Sequence, residues 1–272
     1  MKSFLVVLSA FAALSFLSCR TQTLAPDTGM ATVKGIVSLA NAYDSYTPPY
    51  SGVQISFEGT AISTITNDSG IFQLNGVPEG TYNVRFSKNG YGEVRWIGKM
   101  IEGGGNSTIY LNGPQDPYYR NPTLYKQPEL VLSLHSAYVV DTTIMGYGHS
   151  YLILRGGYGG STPITMGGIA VYISHSSDVS SSLGHYSAYY YHYYPGAQNL
   201  YDTTSMTFWE PIDLLTIKSE GFQSGDSVYI AVYGAPIVGA SPPNDYYDPA
   251  TRKYVLTSLN QTPSPVLGFK VP

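Results

Sequence analysis

The sequence predicts an all-β chain built as two tandem β-sandwich domains, and three observations carry that expectation. Gly (29), Tyr (26) and Pro (18) are abundant while charged residues make up only 12%, the mixture of strand formers and turn formers that all-β proteins use. Apolar and polar residues alternate with a period of two in many short stretches, as half-buried strands require. Clusters of Gly, Pro, Asn, Asp and Ser separate these stretches and form turns. A length of 272 residues fits two domains of about 100–200 residues each, and little of the chain reads as helix. A net charge of −4 with no basic stripe argues against nucleic acid as a partner.

The N-terminus sets the address. Residues 1–18 divide as a secretory signal does: Lys2 is the positive start, and Phe4 to Phe16 is apolar apart from single serines. That run is shorter than the ~20 residues a membrane-spanning helix needs. Phe16-Leu17-Ser18-Cys19 resembles the lipobox of bacterial lipoproteins, with Phe16 standing where Leu is usual. Cys19 is the single cysteine, whereas exported chains ordinarily carry cysteines in pairs for disulfides. The resemblance implies that Cys19 is lipidated and becomes the first residue, with palmitate-like acyl chains holding the protein to a membrane at ~0.8 kcal/mol per buried CH₂. Arg20, rather than Asp, after the cysteine implies sorting to the cell outer membrane. Residues 19–30, polar with Pro26 and Gly29, read as a short tether.

Residues 31–112 form the first domain. Val33, Gly35 and Val37 alternate with Lys34 and Ile36, and Val53, Ile55 and Phe57 alternate with Gln54, Ser56 and Glu58. Asn67-Asp68-Ser69-Gly70 is a tight turn in which the Asx side chains cap backbone and Gly takes positive φ. Ile71 to Leu74 returns as a strand, Val77-Pro78-Glu79-Gly80 turns, and Tyr82, Val84 and Phe86 share one face of the next strand. Taken together, Gly35-Ile36-Val37, Gly52-Val53-Gln54-Ile55, Thr66 to Phe72, Val77 to Tyr82 and Lys88-Asn89-Gly90-Tyr91 resemble the carboxypeptidase regulatory-like domain. The resemblance implies a transthyretin-like sandwich of seven strands that carries no catalytic residues and serves as a spacer or interaction module. The insert Asn41 to Ser51, with Tyr43, Tyr46 and Tyr50, reads as a surface loop.

Residues 113–128, with four prolines, read as an extended interdomain linker. Strand patterning resumes in 129–272. Leu130, Leu132 and Leu134 alternate with Val131 and Ser133, and His149 to Arg155 follows. Ile169, Val171 and Ile173 form an inward row, Phe208 to Leu215 is a further strand, and Val228, Ile230 and Val232 oppose Tyr229, Ala231 and Tyr233. Tyr254 to Thr257 and Leu267 to Val271 close the domain. The pattern is that of an immunoglobulin-like or fibronectin-type-III-like sandwich.

The search for chemistry returns little. No His-Glu-x-x-His or Gly-x-Ser-x-Gly is present. The glycine runs 103–105 and 156–160 lack the Lys-Ser/Thr of a phosphate loop and read as hairpin loops. His175, His185 and His192 have spacings that match no common zinc motif, so no metal or cofactor is expected. Asp141, Asp178, Asp202, Glu210 and Asp213 could meet as a carboxylate pair only through the fold. The oddest segment runs from Tyr186 to Tyr194: Tyr186, Tyr189, Tyr190, Tyr191, Tyr193 and Tyr194 place six tyrosines in nine positions. Each hydroxyl needs a partner when buried, while flat rings with polar rims suit sugar faces and protein interfaces. Trp209 and Tyr246-Tyr247 are candidate further platforms. The expected function is therefore a non-catalytic cell-envelope lipoprotein that presents β-sandwich modules for binding or assembly. Alternatives are a surface glycan-binding component of a carbohydrate-uptake system and a hydrolase with loop-borne carboxylates.

Overall fold

The computed structural model describes residues 29–42, 45–104, 108–111, 121–129, 131–144, 147–159, 166–182, 185–193, 207–236 and 245–272, and strands dominate them. The first domain uses β1 (Met30–Ile36), β2 (Ser38–Ala40), β3 (Gln54–Phe57), β4 (Ser63–Ile65), β5 (Ile71–Pro78), β6 (Gly80–Ser87), β7 (Val94–Ile101) and β8 (Thr108–Tyr110). A three-stranded sheet, β5-β1-β8, faces a four-stranded one, β4-β3-β6-β7. The period of two decides what lies between them. Val33, Ile55, Phe57, Phe72, Val84 and Phe86 are buried in one core, whereas Ile36 and Ile71, paired opposite each other, face solvent. Phe86 meets Phe72 and Trp96 edge-on, with centroids 6.1 and 4.9 Å apart, a geometry favoured by ring quadrupoles. The Asn67–Gly70 turn forms as expected: Asn67 Oδ1 accepts from the Ser69 and Ile71 amides at 3.1 and 2.9 Å. Gly70 takes φ 77° and lies against the Val37 carbonyl, where a Cβ would stand 2.0 Å from the oxygen.

Part of the stretch expected to be linker is instead built into this domain. β9 (Thr123–Tyr125) pairs in parallel with β2, and Leu124 is fully buried in the first core. The prolines around it keep the backbone extended, and extended backbone with an apolar side chain is what a strand needs.

The second domain uses β10 (Val131–Ile144), β11 (Tyr147–Gly159), β12 (Met166–Ser174), β13 (His185–Tyr193), β14 (Thr207–Asp213), α1 (Leu214–Ser219), β15 (Ser227–Ala235), β16 (Asp245–Asp248), β17 (Lys253–Leu256) and β18 (Leu267–Lys270). Its sheets are β10-β11-β14 and β13-β12-β15-β18, with β16 and β17 forming a separate antiparallel pair. The fourth strand of this sandwich, β13, pairs with the third, unlike the constant-type immunoglobulin arrangement in which it joins the opposite sheet. Leu132, Leu152, Leu154, Ile169, Val171, Ile230 and Val232 fill the core. Two expectations are corrected here. Gly156, Gly157 and Gly159 are not a hairpin loop; they lie inside β11 and pair with β10. Leu214 and Leu215 do not continue a strand: Asp213 accepts the Leu215 amide at 2.8 Å and caps α1, which buries Leu214 and Ile217.

The opposite face of β12 and β15 is buried as well. Ala170, Tyr172, Ala231 and Tyr233 pack under Leu256 and Leu259. There the chain after β17 shields the half of β15 that β18 leaves open. Asn260 exchanges bonds with Gly234, its amide donating at 2.8 Å and its Oδ1 accepting at 2.9 Å. Ser264 does the same with Val232, at 2.7 and 3.0 Å. Side chains thus stand in for a missing strand and close an edge that would otherwise offer unpaired backbone.

Candidate functional site

The structure gives two surfaces on which binding can be argued: the tyrosine strand and the joint between the domains. β13 is the end strand of its sheet, paired with β12 alone among the described residues. Its register sets Tyr186 opposite Tyr172, Tyr189 opposite Ala170, Tyr190 opposite Ile169, Tyr191 opposite Gly168 and Tyr193 opposite Met166. Trp209 lies opposite Arg155 on β14, the end strand of the other sheet. β13 passes close to both β14 and β17, so the two end strands run along the same side of the sandwich. Tyr194 and Cys19 lie outside the described residues.

Tyr246, a candidate platform, has another role. Its hydroxyl lies 2.7 Å from Arg95 Nη1 on β7 of the first domain, and the guanidinium carbon sits 4.9 Å from its ring centroid. Arg95 is also held by both oxygens of Glu58, at 2.8 and 2.6 Å. The Glu58 hydrogen bonds, helped by Tyr246 and opposed by burial, raise the already high pKa of Arg95, so the guanidinium is charged at any working pH. A forked pair of this kind is geometrically specific as well as attractive. Two further contacts join the domains. Thr257 Oγ1 donates to the Glu93 carbonyl at 2.5 Å. Gly92 lies so close to Ser258 that a Cβ would stand 2.0 Å from its Oγ. Sequence reasoning had no signal for this joint, because its halves are 151 and 164 positions apart.

The joint leaves a groove of about 580 Å³ between the outer face of the first domain's four-stranded sheet and the chain around β17. Arg85, Lys88, Tyr91, Glu93, Gln127 and Thr257 are among its walls. Arg85 Nε and Nη2 both reach Glu93 Oε2 at 2.6 Å, and Lys88 Nζ donates to the Ser51 carbonyl.

Of the candidate carboxylates, Asp141, Asp178 and Asp213 have described side chains, and the partners seen for them are not one another. Asp141 accepts from Ser150 at 2.5 Å. Asp213 meets His149 Nδ1 at 2.6 Å while capping α1. Burial alone would raise the Asp213 pKa, but the His149 and Leu215 hydrogen bonds together outweigh it and hold the carboxyl below its ordinary value. Asp178 is exposed, and Asp202 lies outside the described residues. His175 stacks on Phe222 with centroids 4.3 Å apart. Among the described residues no group of three or more His, Cys, Asp or Glu is placed to hold a metal ion.

Fold and site together define a tandem β-sandwich protein whose domains are bonded to each other. Residues 32–109 match the family model of the carboxypeptidase regulatory-like domain, within the 31–112 expected. No curated protein matches the chain in sequence. Among solved structures, a DUF3823 family protein from Bacteroides uniformis ATCC 8492 is 12% identical, with 89% of this chain and 99% of that one covered at a TM-score of 0.31. A proposed carbohydrate-binding protein from the same strain is 11% identical over 89% and 99%, at 0.30. A type II cohesin–X-dockerin complex from Acetivibrio cellulolyticus is 21% identical over 43% of this chain, at 0.29; the match spans 64% of that chain, less than two thirds of it. TM-scores of this size do not establish a shared fold.

Proposed function

We propose that this chain is an exported lipoprotein, anchored to the outer membrane through Cys19, that holds two β-sandwich modules out from the bilayer for binding or assembly. The observation that carries the binding role is β13: five of the six clustered tyrosines, Tyr186, Tyr189, Tyr190, Tyr191 and Tyr193, lie on the end strand of a sheet, beside the end strand that bears Trp209. Aromatic residues with polar tips at a sheet edge supply contact area at low entropic cost, and the edge backbone can add a strand. The Arg95–Tyr246 joint supports the same role, since a presenting module works best when its domains keep a fixed relation. The anchor rests on the signal-like residues 1–18 and the lone Cys19.

A second reading, a glycan-binding component of a carbohydrate-uptake system, is favoured by the tyrosines alone, because ring faces stack on sugars. One set of experiments tests both. Labelling cells with an alkyne palmitate analogue should mark the native protein and not Cys19→Ser, which should leave the membrane fraction. Detergent-solubilised full chain, put over a glycan array and a native-envelope affinity column, should retain ligand that Tyr189→Ser/Tyr191→Ser/Tyr193→Ser loses. Unlabelled native protein refutes the anchor. Retention unaffected by the tyrosine changes refutes the β13 surface.

A further inference from the structure

We propose that the groove between the two domains binds a short acidic oligosaccharide, with a sugar carboxylate held by Arg85 and Lys88. Three observations lead there. The first is charge: Arg85 and Lys88 face Glu93 alone among the ionised side chains of the walls, a local positive excess in a chain of net charge −4. The second is preorganisation. Glu93 takes two of the five N–H donors of Arg85 while leaving that side chain 48% exposed. The Ser51 carbonyl takes one of the three donors of Lys88. Both head groups are thus positioned with donors to spare, so little ordering remains to be done when an anion arrives.

The third is the mixture of the remaining wall. Gln54, Asn89, Gln127 and Ser87 offer amides and a hydroxyl, which both donate and accept, as a polyol requires. Beside them Ile65 stands 64% exposed, with Val255 across the groove, an apolar patch for the C–H face of a sugar ring. Much of the wall is side chain from the outer face of the four-stranded sheet, and the peptide probe in the test separates this ligand from an extended peptide adding a strand. Its volume is within the range of small-molecule sites. The groove exists only because the domains are docked. It is a different surface from β13 and stands or falls separately from it.

The test is isothermal titration calorimetry on the detergent-solubilised full chain, with a galacturonate trisaccharide, a galactose trisaccharide and a tri-glutamate peptide as probes. The acidic trisaccharide is expected to bind at least about tenfold more tightly than the other two, with affinity falling as salt rises. Arg85→Gln/Glu93→Gln, which removes both members of the pair without leaving an unmatched charge, and Lys88→Gln should each weaken it by about tenfold or more. Circular dichroism and a cooperative melting transition establish that these variants fold. Three results overturn the proposal: no binding of the acidic sugar, equal binding of the neutral sugar, or equal binding of the peptide. So does sugar binding that survives Arg85→Gln/Glu93→Gln and is lost in Tyr189→Ser/Tyr191→Ser, which would assign it to β13.

Discussion

Replacing Gly92 by Ala tests whether the two domains pack against each other as a unit. Gly92 is outside the left-handed region of backbone space, so the substitution tests room alone. The added Cβ would stand 2.0 Å from Ser258 Oγ, 2.7 Å from its Cβ and 2.6 Å from its Cα. Carbon–carbon separations are comfortable at about 3.5–4.0 Å, so backbone itself must move by about 1 Å; no side-chain rotation at Ser258 shifts its main-chain carbon out of the way. The molecule can yield in two ways. It can absorb the methyl locally, as an overpacked core does, at about 1–3 kcal/mol. Alternatively the domains part and forfeit the Thr257–Glu93 and Arg95–Tyr246 bonds, worth about 1 kcal/mol for the neutral bond and about 1.5–3 kcal/mol for the charged one. The second route costs about 2.5–4 kcal/mol, and the cheaper of the two sets the loss, about 1–3 kcal/mol. Urea unfolding followed by fluorescence reads it out, because Trp96 lies on β7 of the first domain and Trp209 on β14 of the second. Ser258→Gly in the same chain removes the clashes with Oγ and Cβ and keeps the one with the main chain, so it should recover about 1 kcal/mol as a coupling energy. A Gly92→Ala chain with the wild-type midpoint, or no coupling to Ser258→Gly, would refute the packing of the two domains at this point.

Three further outcomes follow from the same geometry. Tyr246→Phe keeps the ring near Arg95 and removes the hydroxyl, so urea unfolding should show a loss of about 1.5–3 kcal/mol, and limited proteolysis should cut between the domains faster. Ser264→Ala strands the Val232 amide, bonded at 3.0 Å to a side chain only 3% exposed, and should lower stability by about 1–3 kcal/mol. Asp213 has a depressed folded pKa, so its contribution is complete above the ordinary aspartate value and is lost as pH falls through the lower folded value. Asp213→Asn still caps α1 and should flatten the acid limb of the stability profile while costing about 1 kcal/mol or less at neutral pH.

What was legible in the sequence is what local chemistry decides. The alternation of Val33 with Lys34 and of Ile169 with Ala170 placed a core face in each sandwich, and Asn67-Asp68-Ser69-Gly70 specified its own turn. Where periodicity was ambiguous, position in the fold decided. Gly156 and Gly157 of β11 are sheet because β10 and β14 supply partners on both sides, and a ladder with two neighbours holds residues that are poor strand formers alone. Leu214 and Leu215 turn helical because Asp213 satisfies an amide that a strand would have given to the next chain. Tyr229, Ala231 and Tyr233 were legible as a row opposite Val228, Ile230 and Val232, but nothing local says that both rows are buried. That depends on Leu256 to Ser264 folding back over the tyrosine row, with Ser264 and Asn260 in place of a strand. Tyr246 shows the same limit for function. As one of many tyrosines it looked like a recognition platform; beside Arg95 and Glu58 it is part of the joint, and the groove formed by that joint is lined by Arg85, Lys88 and Thr257, residues without a motif. A binding surface made of unremarkable side chains from two domains leaves no trace in local sequence, so in a tandem sandwich the place to look for function is where the domains meet as well as where the composition is strangest.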